Sequence, residues 1–254
     1  MIHSLRAFRH RSYRLFFCGQ SVAVLGNWIQ FLAMNWLVYR LSGSAWLLGV
    51  TGFAGQIAIL VLAPFGGLWA DRFDRRKLLI WTQAAAMLPG FVLAALAYAG
   101  AIEIWHVVLM ASLFGIIMAI DVPVRQSFTP EMVPAREDLP SAIAFNALMQ
   151  NGGRMLGPTI AGLLIAASSE AVCFVVNGVS KIAAVTTLMM MTVTPIARPR
   201  ASSSIWGGLK EGIVYTWNSV PLRLLFPVVA AVSFMASPYQ TLMPICAAEV
   251  FAGG

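Results

Sequence analysis

Apolar runs of about 20 residues, the length that carries an α-helix across bilayer hydrocarbon, recur seven times along this chain with short gaps between them. They fall near Tyr13 to Tyr39, Ala45 to Leu68, Leu78 to Ala99, Trp105 to Val124, Ser141 to Ala166, Ala171 to Thr192 and Leu222 to Ala247. No water reaches backbone amides in hydrocarbon, so each run is held to the helix. The chain is 59 % hydrophobic with a mean hydropathy of +0.78, more apolar surface than a soluble globule of 254 residues buries. These features specify an all-α integral membrane protein.

The net charge of +7 is a reason to consider nucleic acid, but the placement of the cations argues for membrane orientation instead. Arg6, Arg9, Arg11 and Arg14 precede the first run, and Arg72, Arg75, Arg76 and Lys77 lie between the second and third. Arg125 and Arg136 flank the fourth-to-fifth connection, and Arg198, Arg200, Lys210 and Arg223 fall around the sixth-to-seventh. The other side keeps Arg40, while Arg154 and Lys181 lie within runs. The N-terminus is therefore expected in the cytoplasm, with the lipid bilayer rather than nucleic acid as partner. The first run is too long and too rich in amides for a cleaved signal sequence.

Residues 1–192 read as one bundle of six transmembrane helices joined by tight connections, apart from the fourth-to-fifth link, where Pro130, Pro134, Glu137, Asp138 and Pro140 supply turn and helix-start chemistry. Residues 193–219 read as a linker, proline-broken and serine-rich from Thr194 to Ser204. Ile205, Leu209, Ile213 and Trp217 then recur at four-residue spacing, the pattern of a short amphipathic helix on the cytoplasmic surface. Residues 220–254 hold the seventh span, with Pro227, Pro238 and Pro244.

Polar groups inside the runs are costly and need partners or a hydrated path. On the first run Gln20, Asn27, Gln30 and Asn35 occupy a sector of about 140° at 100° per residue, which suits either a cavity wall or a helix-to-helix contact. Asn146, Gln150 and Arg154 follow i, i+4, i+8 on the fifth run. Arg154 cannot shed its proton, so it must bind an anion, pair with an acid or cap carbonyls. Asn177 and Lys181 share a face of the sixth run, and Asp121 and Arg125 lie one turn apart at the cytoplasmic end of the fourth. The charged block from Gly67 to Lys77 joins the second and third runs. There a glycine permits close helix approach and Asp71 suits a helix N-terminus. Gly153, Gly157, Pro158, Ala161 and Gly162 give the fifth run small residues and a bend.

Cys18, Cys173 and Cys246, like His3, His10 and His106, match no metal or redox spacing. Nucleotide-binding and hydrolase motifs are missing. Neither a metal, nor a cofactor, nor an enzyme is expected.

The block Gly67-x-x-Ala70-Asp71-Arg72-x-x-Arg75-Arg76 resembles the loop after the second helix of the major facilitator superfamily, pattern Gly-x-Leu-Ala-Asp-Arg-x-Gly-Arg-Arg/Lys. Trp69 stands where leucine is usual and Asp74 where glycine is usual. Gly153, Gly157, Pro158 and Gly162 are similar to that superfamily's antiporter motif, with Ala161 replacing one glycine. The stretch from Arg9 to Phe17 and Asp121-Val-Pro-Val-Arg125-Gln126 resemble the branch containing the enterobactin exporter and the transmembrane secretion effectors.

The resemblance implies a major-facilitator-type six-helix N-terminal bundle plus a seventh helix, with the C-terminal half missing from this sequence or supplied by a partner chain. It implies a proton-coupled exporter of small molecules, drug or siderophore, in a bacterial inner (plasma) membrane, working by alternating access when full length. In the family, the loop Asp and the following Arg form a relay with an acid on the fourth helix that closes the cytoplasmic gate; Asp71, Arg75 and Asp121 are the matching positions, with Gly67, Arg72, Arg76 and Arg125 beside them. Asn27, Gln30, Asn146, Gln150, Arg154 and Lys181 are the expected lining of the substrate path. The alternative is a non-transporting membrane subunit or regulator that pairs with another transporter chain.

Overall fold

Residues 3–193 are described continuously in the computed structural model, together with 207, 214–225, 227, 228, 231, 232, 241 and 245. Within residues 3–193 there are seven α-helices. They are α1 (Arg11–Ser42), α2 (Ala45–Arg72), α3 (Arg75–Ala85), α4 (Met87–Tyr98), α5 (Ile104–Met132), α6 (Leu139–Ala167) and α7 (Glu170–Met190). Short 3-10 turns cover His3–Arg9 and Arg136–Asp138, and no strand occurs among the described residues.

Helix α1 runs parallel to α6. Tyr13 bonds the Ala142 carbonyl, Gly153 faces Val24, and Gly157 faces Trp28, a constant offset along the pair. Fifteen residues of shared register correspond to about 22 Å. Against α7 the same helix runs antiparallel, from Ser12 at the Thr192 carbonyl, through Gly26 against Ser180, to Arg40 at Glu170. Helix α2 runs parallel to α5, with Gly55 beside Gly115 and Gly66 beside Ala119.

The third predicted span is one crossing made of two helices. Helix α3 ends at Ala85 and α4 begins at Met87; Pro89 has no N–H to give the Ala85 carbonyl, so the ladder breaks there. The fourth span reaches Met132, beyond the expected end at Val124, and Pro130, read from sequence as part of a turn, lies inside α5. Pro123 leaves the Ala119 carbonyl without its helical donor, and α2 meets that carbonyl at Gly66, where a Cβ would collide with it. Five crossings are apolar and long enough to span a membrane: α1, α2, α3 with α4, α5 and α7. Helix α6 has the length, 29 residues, but Asn146, Gln150, Asn151 and Arg154 lower its hydropathy. Its register against α1 carries it along the same depth.

Two apolar clusters bracket the bundle. Toward the helix ends that carry the N-terminus and the charged loop, Tyr13, Phe16, Leu79, Val124, Phe128 and Leu188 are buried together; toward the other end Ile29, Leu37, Leu48, Leu93, Val107 and Phe174 are. Between them lies a layer of buried polar groups. Beyond residue 193, positions 214–218 and 220–225 are helical, and Trp217 is exposed. The serine-rich linker, Ile205, Leu209 and Ile213 of the amphipathic stripe, and Pro238 and Pro244 lie outside the described residues.

Two outcomes are expected. Alkaline phosphatase fused after Gly100 is active and fused after Asp74 inactive, which tests the cytoplasmic N-terminus through activity in whole cells. Gly115→Val drives a side chain into the Gly55 backbone, which cannot yield, and lowers stability by about 3 kcal/mol, read as thermal denaturation in detergent.

Candidate functional site

The charged loop is built around one guanidinium. Asp74 caps α3, its carboxylate accepting from the Lys77 backbone N–H at 3.0 Å. That bond gives the residue standing in place of the usual glycine a local purpose. The cap starts α3 so that Arg75 turns inward and is buried. Its Nε donates to the Ala70 carbonyl at 2.8 Å, Nη1 to the Ser127 carbonyl at 3.0 Å and to Glu131 at 2.8 Å, and Nη2 to Asp71 at 3.1 Å. One side chain thus ties the end of α2, the start of α3 and the end of α5. Asp71 is half exposed, with a side-chain accessibility of 52 % against 3 % for Arg75, so it presents its second oxygen outward. Arg76 donates to the Leu188 and Met189 carbonyls, each at 2.7 Å, and closes the C-terminus of α7.

The expected relay of Asp71, Arg75 and Asp121 is therefore corrected in its third member: Asp71 meets Arg75, but the acid of α5 that does so is Glu131. Asp121 is ten residues, about 15 Å, further up α5. A sequence signal existed, because a carboxylate in the last turn of a helix opposes the dipole and calls for a cation. Gly67 is also displaced from its expected role. Open space surrounds it, and the close approach is made by Gly66. Arg72 is exposed at the end of α2.

Asp121 belongs to the buried layer. Its Oδ1 accepts from Thr82 at 2.9 Å and from Gln83 at 2.7 Å, and Arg125 approaches its other oxygen at 3.5 Å. Lys181 is wholly buried and donates to Asn27 and to the Ala23 carbonyl. Asn177 donates to Gln30 at 2.6 Å, and Gln30 to the Met34 sulfur. Asn27 and Gln30 of α1 thus meet α7 in helix-to-helix contacts. Among the described residues no carboxylate lies within ion-pairing distance of Lys181, and neither amide atom of Gln20 meets a partner.

The polar stripe of α6 divides. Asn146 turns inward, donating to Thr129 at 3.0 Å and accepting from Tyr13 at 3.2 Å. Gln150 is partly buried and Arg154 is on the exposed side. Gly153 and Gly157 form the seat of Trp28, where a Cβ on either would strike it; Gly162 faces open space, and Pro158 stands in the helix between. Unforeseen from sequence are the Arg40–Glu170 pair at 2.8 Å at the far end of α1 and the His10–Asp138 and Arg6–Glu137 pairs at its start.

Glu131→Gln is expected to cost about 3 kcal/mol, because it leaves the Arg75 guanidinium buried without its best acceptor. Lys181→Met, which removes a buried cation that has no carboxylate partner, is expected to leave thermal stability unchanged or raised. Melting of the two purified variants beside the parent checks both.

A family model described as transmembrane secretion effector matches residues 2–254. The chain is 28 % identical over 241 residues to the Staphyloferrin A transporter of Staphylococcus aureus, covering 94 % of this chain and 60 % of that protein. It is 22 % identical over 239 residues to Macrolide efflux protein A of Streptococcus pyogenes, covering 87 % of this chain and 59 % of the relative. Against the Multidrug efflux pump Tap of Mycobacterium tuberculosis it is 24 % identical over 230 residues, covering 87 % and 55 %. The chain spans less than two thirds of the length of these relatives.

Proposed function

Because the chain belongs to the transmembrane secretion effector family of the major facilitator superfamily, we propose that it forms the N-terminal half of a secondary active exporter of small molecules. The relatives named above for siderophore transport, macrolide efflux and multidrug efflux support a cargo of that kind. The observation that carries the reading is the Arg75 joint. A buried guanidinium shared by two acids and two carbonyls makes the cytoplasmic ends of α2, α3 and α5 one rigid body, while the half-exposed Asp71 faces outward to meet a complementary half.

In this reading a second six-helix half, on the same polypeptide or on a partner, rocks against the first. Contact at Asp71 holds the cytoplasmic side closed, and its release opens that side. Protons drive the cycle. Gln150 and Arg154, on the less buried side of α6, line the route with the polar layer of Asn27, Gln30 and Lys181 behind them, and Asn146 braces α6 against α1 and α5. The Trp28 seat on Gly153 and Gly157, with the bend at Pro158, keeps α1 and α6 moving together. The protein works in the plasma membrane with its N-terminus in the cytoplasm and uses no cofactor.

The test is efflux from cells lacking their own pumps, expressing the full-length gene product, with erythromycin and ethidium as probes and an ionophore that collapses the proton gradient as control. The parent is expected to lower accumulation in a gradient-dependent way. Asp71→Asn is expected to abolish this while membrane insertion is retained, and undiminished efflux by that variant would sink the gating role.

A further inference from the structure

The cytoplasmic charges of the described residues do not balance. Every acid on that side is engaged: Asp71 and Glu131 with Arg75, Asp74 at the α3 cap, Asp121 with Arg125, Glu137 with Arg6 and Asp138 with His10. Arg76 is used on the α7 carbonyls. Arg11 and Arg14 on α1 and Lys77 on α3 are exposed and take part in none of these pairs.

These three cations share a location. Ser12 donates to the Thr192 carbonyl at 3.1 Å, which puts the start of α1 beside the end of α7. Arg76 reaches the Leu188 and Met189 carbonyls, which puts the start of α3 on the same helix end. Arg11 therefore lies beside that end of α7 from one side and Lys77 from the other, with Arg14 one turn on along the outer face of α1.

What surrounds them is apolar. Trp81, one turn beyond Lys77, is 74 % exposed, and Met189 on α7 is 64 % exposed. Along the α1 face that bears Arg11 and Arg14, the next turns expose Cys18 and Val22. Cations at the helix ends, an indole at the same level and bare aliphatic surface toward mid-membrane match the parts of one ligand: an anionic headgroup, the interface and acyl chains. A soluble anion has no use for the aliphatic part. We infer that the cytoplasmic end of α7, between Arg11 and Arg14 on one side and Lys77 with Trp81 on the other, is a binding surface for anionic phospholipid.

The inference is independent of what the protein transports, and its test needs no substrate. The purified protein is reconstituted in phosphatidylcholine, and tryptophan fluorescence is quenched with brominated phosphatidylglycerol or brominated phosphatidylcholine. The parent is expected to prefer the anionic lipid by roughly fivefold for each engaged cation, and less at high salt, where screening shortens. Trp81→Phe removes the lipid-selective part of the quenching. The exposed double variant Arg14→Gln/Lys77→Gln loses most of the preference while folding as the parent does. Equal quenching by the two lipids in the parent overturns the proposal, as does an undiminished preference in the double variant. Loss of the preference on adding inorganic phosphate at constant ionic strength also overturns it and assigns the surface to soluble anions.

Discussion

The buried guanidinium of Arg75 is the constraint on which the charged-loop end of the bundle depends. An arginine cannot be neutralised, so once α3 begins at Arg75 with Asp74 as its cap and turns it inward, the surroundings must supply acceptors on every side. The Ala70 and Ser127 carbonyls, Asp71 and Glu131 do so. Those acceptors come from α2 and α5, whose parallel packing is close because Gly66 and Gly115 carry no side chain at the crossing. Charge satisfaction and backbone approach are here one requirement met twice: neither helix end can move without stranding the cation.

A second polar region is placed differently. The layer containing Asn27, Gln30, Asn177, Lys181, Asp121 and Gln83 lies between two apolar clusters, where bonds between amides replace solvent. Lys181 is held by neutral oxygens alone, and Asp121 is held mainly by neutral donors with Arg125 at the margin. In the Arg75 joint, opposite charges meet at hydrogen-bond distance and rigidity follows. In the layer, Lys181 has no carboxylate partner among the described residues and Asp121 meets Arg125 only at 3.5 Å, so the helices are tied mainly through neutral hydrogen-bonding groups.

Much of the organisation was legible. The apolar runs located α1, α2, the α3–α4 pair, α6 and α7 to within a few residues at most ends, because hydrocarbon leaves a run of that length one conformation. The exception was α5, carried past Pro123 and Pro130. Pro130, expected in the connection by a turn rule written for water, instead lies inside the helix. The choice between Gly66 and Gly67 was not legible either, since consecutive residues differ by 100° around a helix and only packing says which one faces the neighbour. Glu131 was overlooked beside Asp121 for a similar reason: both are acids on α5, and depth along the helix, set by the α3–α5 register, decides which meets Arg75.

The sequence by itself determined that this chain is a set of membrane helices, roughly where those up to residue 193 run, that a charged loop follows the second, and the family resemblance carried by that loop. These depend on local composition and spacing, which a bilayer reads one segment at a time. The tertiary structure alone decided the partners: Glu131 for Arg75, the α7 carbonyls for Arg76, Asn27 for Lys181 and Trp28 for Gly153 and Gly157. The physical reason is that partnership between helices depends on rotation and relative depth, quantities fixed by the packing of all the helices at once.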